Sequence, residues 1–156
     1  MSLGTRSRIL IAACRLDAHA DINFTIVVNP FNGPGPTQYP DDILITGIGK
    51  LNTYKNIQLV GYVRTSWATR DLSMVLADVS TYFGWSTFQD SHSNASTIAI
   101  SGIFFDETPS DYSPEAAAYL SAMNEAVKNA SVSPSKTLVS QRMWISSITS
   151  FIPSIG

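Results

Sequence analysis

Apolar and polar positions along the chain repeat one rhythm three times. Each unit is an apolar run with strand character, then a polar turn, then apolar residues at helical spacing. The first run, 22–28 (INFTIVV), is β-branched and apolar, as expected of a strand covered on both faces. It ends at Asn29-Pro30, and the loop Phe31-Asn32-Gly33-Pro34-Gly35-Pro36 leads into a weak helix predicted over about 41–52. The second run, 57–63 (IQLVGYV), ends in Arg64-Thr65-Ser66. A stronger helix is predicted from Asp71 to Phe83, because Leu72, Val75, Leu76, Val79 and Tyr82 share one face and Asp71 suits a first turn. The third run, 97–105, stops at the adjacent carboxylates Asp106 and Glu107. Ser113-Pro114-Glu115 then supplies a cap followed by proline at the first helical position, and the helix is predicted to run to Asn129.

The strand ends at Asn29, Thr65 and Glu107 lie 36 and 42 residues apart. A strand and a crossover helix at that interval imply parallel pairing, the repeat of a β/α barrel or of a doubly wound sheet. The ends of the chain depart from the rhythm. Residues 7–18 read as a helix with no strand before it. Residues 137–139 read as the start of a strand that dissolves into 140–156 without a clear period. No internal repeat, low-complexity tract or linker divides the 156 residues, so one domain is expected over 1–156.

Composition narrows the function. Charged residues are 14%, against roughly 25% in ordinary soluble domains, and hydrophobic residues are 44%. A net charge of −2 without a basic block disfavours nucleic acid and anionic membranes as partners. No apolar run approaches the roughly 18 residues that a membrane span needs. The basic-then-apolar segment 6–14 is too short in its apolar core for a secretion signal and runs into Arg15 and Asp17. Cys14 is the single cysteine, which rules out an intramolecular disulfide and a multi-cysteine metal site. His19 and His92 have no partner pattern, and no cofactor is expected. Three sequons occur, at Asn23, Asn94 and Asn129.

Candidate chemistry concentrates at the predicted strand ends. Asp106 and Glu107 follow an apolar strand, the place where β/α folds keep their reactive groups. Neighbouring strand residues point to opposite sides. The two carboxyl groups therefore flank one bond, as glycoside hydrolysis requires, only if the strand curls at its end or a further carboxylate joins them. Tyr62, Arg64, Thr65, Trp67 and Arg70 cluster at the end of the second strand and suit sugar recognition. Tyr62 is equally a core residue, and Arg70 equally a partner for Asp71 or Asp106. Asn29 suits either a substrate contact or a loop hydrogen bond. Tyr82 and Trp85 read as packing. The prolines at positions 34 and 36 remove donors that a phosphate cradle needs, and Gly47-Ile48-Gly49 follows no strand, so a nucleotide site is disfavoured.

The series Phe24-Thr25-Ile26-Val27-Val28-Asn29-Pro30, Gly33-Pro34-Gly35, Val60-Gly61-Tyr62-Val63 with Thr65 and Arg70, Tyr82, Trp85 and Gly102-Ile103-Phe104-Phe105-Asp106-Glu107 resembles the spherulin-4 family. That family, also called spherulation-specific family 4, includes the fungal polysaccharide hydrolases of glycoside hydrolase family 135. The resemblance covers about residues 18–130 and leaves 131–156 as a divergent tail. It implies an α/β fold of TIM-barrel (β/α)8 type, secretion or cell-surface location, and action on an amino-sugar polysaccharide such as galactosaminogalactan. It makes Asp106 and Glu107 the catalytic motif, with Asn29, Tyr62, Thr65 and Arg70 as substrate contacts. Counted against that barrel, the strands are the second to fourth, with the first strand and the C-terminal half missing. The alternative is a non-catalytic carbohydrate-binding or structural remnant. A sheet cut from a barrel leaves unpaired edges and an uncovered face. The isolated chain is therefore expected to be marginally stable or to self-associate, which sedimentation velocity and a thermal melt would show; a cooperatively melting monomer would contradict the expectation.

Overall fold

A computed structural model describes residues 21–89 and 97–130. It contains three strands, β1 (Phe24–Val28), β2 (Ile57–Arg64) and β3 (Gly102–Asp106), in one parallel sheet of order β1-β2-β3. The helices are α1 (Asp42–Leu51), α2 (Leu72–Gly84) and α3 (Pro114–Ala130), with a 3-10 turn at Trp85–Thr87. The expected rhythm is present in each unit. The predicted opening helix at 7–18, the strand start at 137–139, the sequon at Asn94, and Cys14, His19 and His92 lie outside the described residues.

Capping explains where the helices start. Asp41 accepts a hydrogen bond from the Leu44 amide at 2.8 Å, and Asp71 one from the Ser73 amide at 2.8 Å. Ser113 accepts from the Ala116 amide at 3.0 Å, directly before Pro114. Each side chain satisfies one of the amides that a helix start leaves without a partner. The stretch Gly47-Ile48-Gly49 is buried inside α1.

The third strand is shorter than its apolar run. Ladder pairing with β2 begins at Val60 opposite Gly102, and residues 97–101 lie outside the strand. The Asn52 side chain takes over there, donating to the carbonyls of Thr97 and Ala99 at 2.7 and 3.1 Å. Ile98 and Ile100 are still buried. The apolar pattern of this segment records burial, which periodicity cannot distinguish from strand pairing.

Register sorts the sheet into two faces. Phe24, Ile26 and Val28 pair with Ile57, Leu59 and Gly61, and Gly61 and Val63 pair with Ile103 and Phe105. All of these except Gly61 join one hydrophobic cluster with Ile48 and Leu51 of α1, Val75, Val79 and Tyr82 of α2, and Met123 and Val127 of α3. The alternate positions, Val27, Val60, Tyr62 and Phe104, lie outside that cluster. All three helices therefore cover the same face of the sheet.

Gly61 sits where the sheet and α2 come closest. A Cβ there would stand 2.6–2.8 Å from three ring carbons of Tyr82. That ring is fully buried, packs edge-on against Trp85 at 4.8 Å, and donates its hydroxyl to the Val28 carbonyl at 2.9 Å. Trp85 in turn donates its indole N–H to the Gln38 carbonyl at 3.1 Å. Both aromatics are packing residues, as expected. Gly61→Ala would have to displace a ring held at both ends, so we expect a loss of about 1–3 kcal/mol in urea unfolding; a variant as stable as the parent would show that α2 can shift freely.

Candidate functional site

The second face of the sheet carries the polar chemistry. Arg64 is the direct ladder partner of Asp106, and Tyr62 is that of Phe104, so Tyr62, Arg64, Phe104 and Asp106 project from the same side. Among the described residues, α1, α2 and α3 all lie on the other face. The Tyr62 hydroxyl donates to Asp106 Oδ2 at 2.8 Å. Asp106 Oδ1 accepts from the Glu107 backbone amide at 2.8 Å. Both carboxylate oxygens are thus engaged, and the group is held in one orientation. The Tyr62 and Phe104 rings lie 6.3 Å apart and form the apolar floor beside it.

Strand alternation would send Glu107 to the helix side. It does not continue as a strand: Glu107 has φ +55°, in the left-handed region. A non-glycine residue there costs about 1–2 kcal/mol. The curl sets Glu107 Oε2 3.8 Å from Nε of Arg64, which is on the Asp106 side. The two adjacent carboxylates are therefore served by one face of β2, the arrangement that the sequence allowed only through such a bend.

The loop after β2 is bent in the same way. Ser66, Trp67 and Ala68 have φ of +50°, +54° and +63°, a left-handed turn of three consecutive non-glycine residues. Its surroundings over-determine it. The Trp67 amide donates to the Glu107 carbonyl, Thr69 donates twice to the Ser66 carbonyl, and the Arg70 amide donates to the Thr65 carbonyl at 3.2 Å. Strain of this kind persists only where the environment fixes it, and it gathers at functional sites.

Thr65 anchors both bends. It is completely buried, its amide donates to the Asp106 carbonyl at 3.0 Å, and its hydroxyl lies 3.0 Å from that carbonyl and 2.7 Å from the carbonyl of Glu107. The sequence put Thr65 among the substrate contacts; the structure commits its hydroxyl to the main chain of the acidic motif. Arg70 pairs with neither Asp71 nor Asp106. Its Nη1 lies 2.7 Å from Asp78 Oδ2 on α2 and donates to the Arg64 carbonyl at 3.0 Å. Gly33 makes room for that pair, because a Cβ there would stand 3.0 Å from Asp78 Oδ2. Asn29 is exposed one residue past β1. Tyr62 belongs with the carboxylates and not with the hydrophobic core.

Arg64 is the residue whose importance the spacing concealed. Its alignment with Asp106 appears only once the register of two strands 42 residues apart is known. Among the described residues no group of three or more His, Cys, Asp or Glu side chains is placed to hold a metal ion, and no helix is long and apolar enough to cross a membrane.

The fold and site define an α/β protein with a parallel sheet, helices on one face, and paired carboxylates at the carboxyl end of a strand. The family model for spherulation-specific family 4 matches residues 11–143, and the chain belongs to that family. Among solved structures it is similar to Aspergillus clavatus Sph3, crystallised in complex with GalNAc. The two share 40% identity with a TM-score of 0.71, over 85% of this chain. The chain spans half the length of the Sph3 chain. Among curated proteins no match is found.

The Tyr62–Asp106 bond has a measurable consequence. Burial, the hydrogen bond to Asp106, and the negative charges of Asp106 and Glu107 push the Tyr62 phenol up to about 12 from its ordinary 10, against the opposing effect of Arg64. A raised folded-state pKa means the bond contributes fully below the ordinary tyrosine range and is lost as pH rises towards 12. In an alkaline absorbance titration, the component missing from Tyr62→Phe should be one titrating near pH 12. A missing component at the ordinary tyrosine pKa would contradict the bond.

Proposed function

We propose that this chain is a β/α-barrel glycoside hydrolase domain acting on an amino-sugar polysaccharide of the galactosaminogalactan type, secreted or displayed at the cell surface. The observation that carries the reading is the bend at Glu107, which turns two adjacent strand residues into a carboxylate pair served by one arginine and one tyrosine. The similarity to Sph3, whose crystals hold GalNAc, supports the substrate class. Sequential parallel strands with α1, α2 and α3, the described helices, on one face support a barrel wall over a doubly wound sheet, which carries helices on both faces. The three strands are then the second to fourth of the barrel, and the Tyr62–Asp106 face is its interior.

The geometry divides the work between the acids. Asp106, with both oxygens accepting hydrogen bonds, is suited to remain an oriented carboxylate that stabilises positive charge developing on the sugar ring. Glu107, held only loosely by Arg64, is suited to move a proton to or from the glycosidic oxygen. Tyr62 and Asn29 are the substrate contacts in this reading. Thr65 and Arg70 act by holding the strand ends and not by touching the ligand. A second reading, sugar binding without cleavage, is favoured by the fixed orientation of Asp106, whose oxygens each accept one hydrogen bond and keep lone pairs for a sugar hydroxyl.

Reducing-sugar release from a galactosamine-containing polysaccharide separates the two readings. For the hydrolase, Asp106→Asn and Glu107→Gln should each lower release at least about a hundredfold while leaving the fold intact. A parent chain that retains polysaccharide in a pull-down and releases nothing would sustain the binding reading instead.

A further inference from the structure

Each of the three loops that leave the carboxyl end of the sheet presents one bare aromatic side chain. Phe31 follows β1 and is 78% exposed, Trp67 follows β2 and is 63% exposed, and Tyr112 follows β3 and is 75% exposed. Because neighbouring strands run side by side about 4.8 Å apart, the loops emerge in the order Phe31, Trp67, Tyr112, with Trp67 in the middle.

Trp67 is the unusual member. An indole is among the costliest side chains to leave in water. This one also sits at the centre of a left-handed turn of non-glycine residues, where glycine would be free of strain. The turn is fastened to the acidic motif itself, since the Trp67 amide donates to the Glu107 carbonyl. Behind it, Arg70 bonds the Arg64 carbonyl and pairs with Asp78. Two costs, solvent exposure and backbone strain, are thus accepted at one residue and locked beside the carboxylates. Neither contributes to packing, because Trp67 has no place in the hydrophobic core.

We propose that Trp67 is a sugar-stacking platform. Its indole face takes the apolar C–H face of a pyranose ring next to Asp106 and Glu107, with Phe31 and Tyr112 flanking it, so that the site holds several consecutive units of a polysaccharide. This rests on the carbohydrate reading above and extends it from the acids to the ligand's length. An aromatic ring presents a negative face and stacks on weakly positive C–H groups. The low surface charge and the hydroxyl-rich turn containing Ser66 and Thr69 suit an uncharged, hydroxylated chain over an ionic partner.

The test uses the full chain, with N-acetylgalactosamine and its linear tetramer as probes, read by calorimetry and tryptophan fluorescence. Trp67→Ala should weaken binding of both probes about tenfold, the scale of one lost aromatic contact. Trp67→Phe should stay within a few-fold of the parent. Phe31→Ala and Tyr112→Ala should weaken the tetramer and spare the monosaccharide. Trp67→Gly should lose binding while raising the unfolding temperature, because it removes the strain; a purely structural tryptophan would not give that pair of effects. Tetramer affinity unchanged in Trp67→Ala overturns the platform, whether or not the parent chain cleaves polysaccharide. So does a Trp67→Ala variant that changes only the sedimentation coefficient, which would make the indole a protein contact. A parent chain that binds neither probe overturns the platform and the amino-sugar reading together. Binding through Trp67 without cleavage keeps the platform and removes the hydrolase.

Discussion

The Thr65 hydroxyl, shared between the carbonyls of Asp106 and Glu107, is the interaction on which the working end of the sheet depends. A buried hydroxyl must find a partner or cost free energy of order 1–3 kcal/mol. Here the partners are the two main-chain groups whose direction decides where the carboxylates go. With the Thr65 amide also on the Asp106 carbonyl, β2 and β3 stay joined one residue beyond the end of β2. Glu107 can then enter its left-handed conformation without freeing the strand end, and the following turn can carry Trp67 back onto the Glu107 carbonyl.

The sheet keeps stability and chemistry on separate faces. One face is filled by the three helices, and its tightest point is the Tyr82 ring over Gly61. The other holds Tyr62, Arg64, Phe104 and Asp106 in register. Changes to the acids therefore leave the packed layer untouched, whereas a methyl group at Gly61 acts on it directly. Membership of spherulation-specific family 4 and likeness to Sph3 fit this division, in a chain that spans half of Sph3's length.

Much of the fold was legible because local signals agreed with the tertiary outcome. Asp41, Asp71 and Ser113 cap the helices that their positions announced, and the strand ends fell within a residue or two of the apolar runs. The exceptions have physical reasons. Residues 97–100 precede the ladder because Asn52 satisfies the Thr97 and Ala99 carbonyls, and β2 is joined first through Ser101, whose amide donates to the Leu59 carbonyl. The acidic pair was legible as a pair and the bend only as a condition for its use, since φ at Glu107 is held by Thr65, just past the end of β2. Arg70 was read as a substrate contact or as a partner for Asp71 or Asp106, while its ion pair is with Asp78 on α2. The role of Arg64 depended on register, which no single segment encodes.

The central claim is that the carboxyl ends of β2 and β3 form an amino-sugar site. Mapping amide chemical shifts of the isotope-labelled chain during titration with N-acetylgalactosamine tests it most directly. The account predicts the largest shifts at Glu107 and Trp67, whose amides bond Asp106 and the Glu107 carbonyl, with smaller ones at Tyr62 and Arg64 and none across α3. Shifts that leave the Asp106–Glu107 segment unchanged and gather elsewhere on the chain would contradict it.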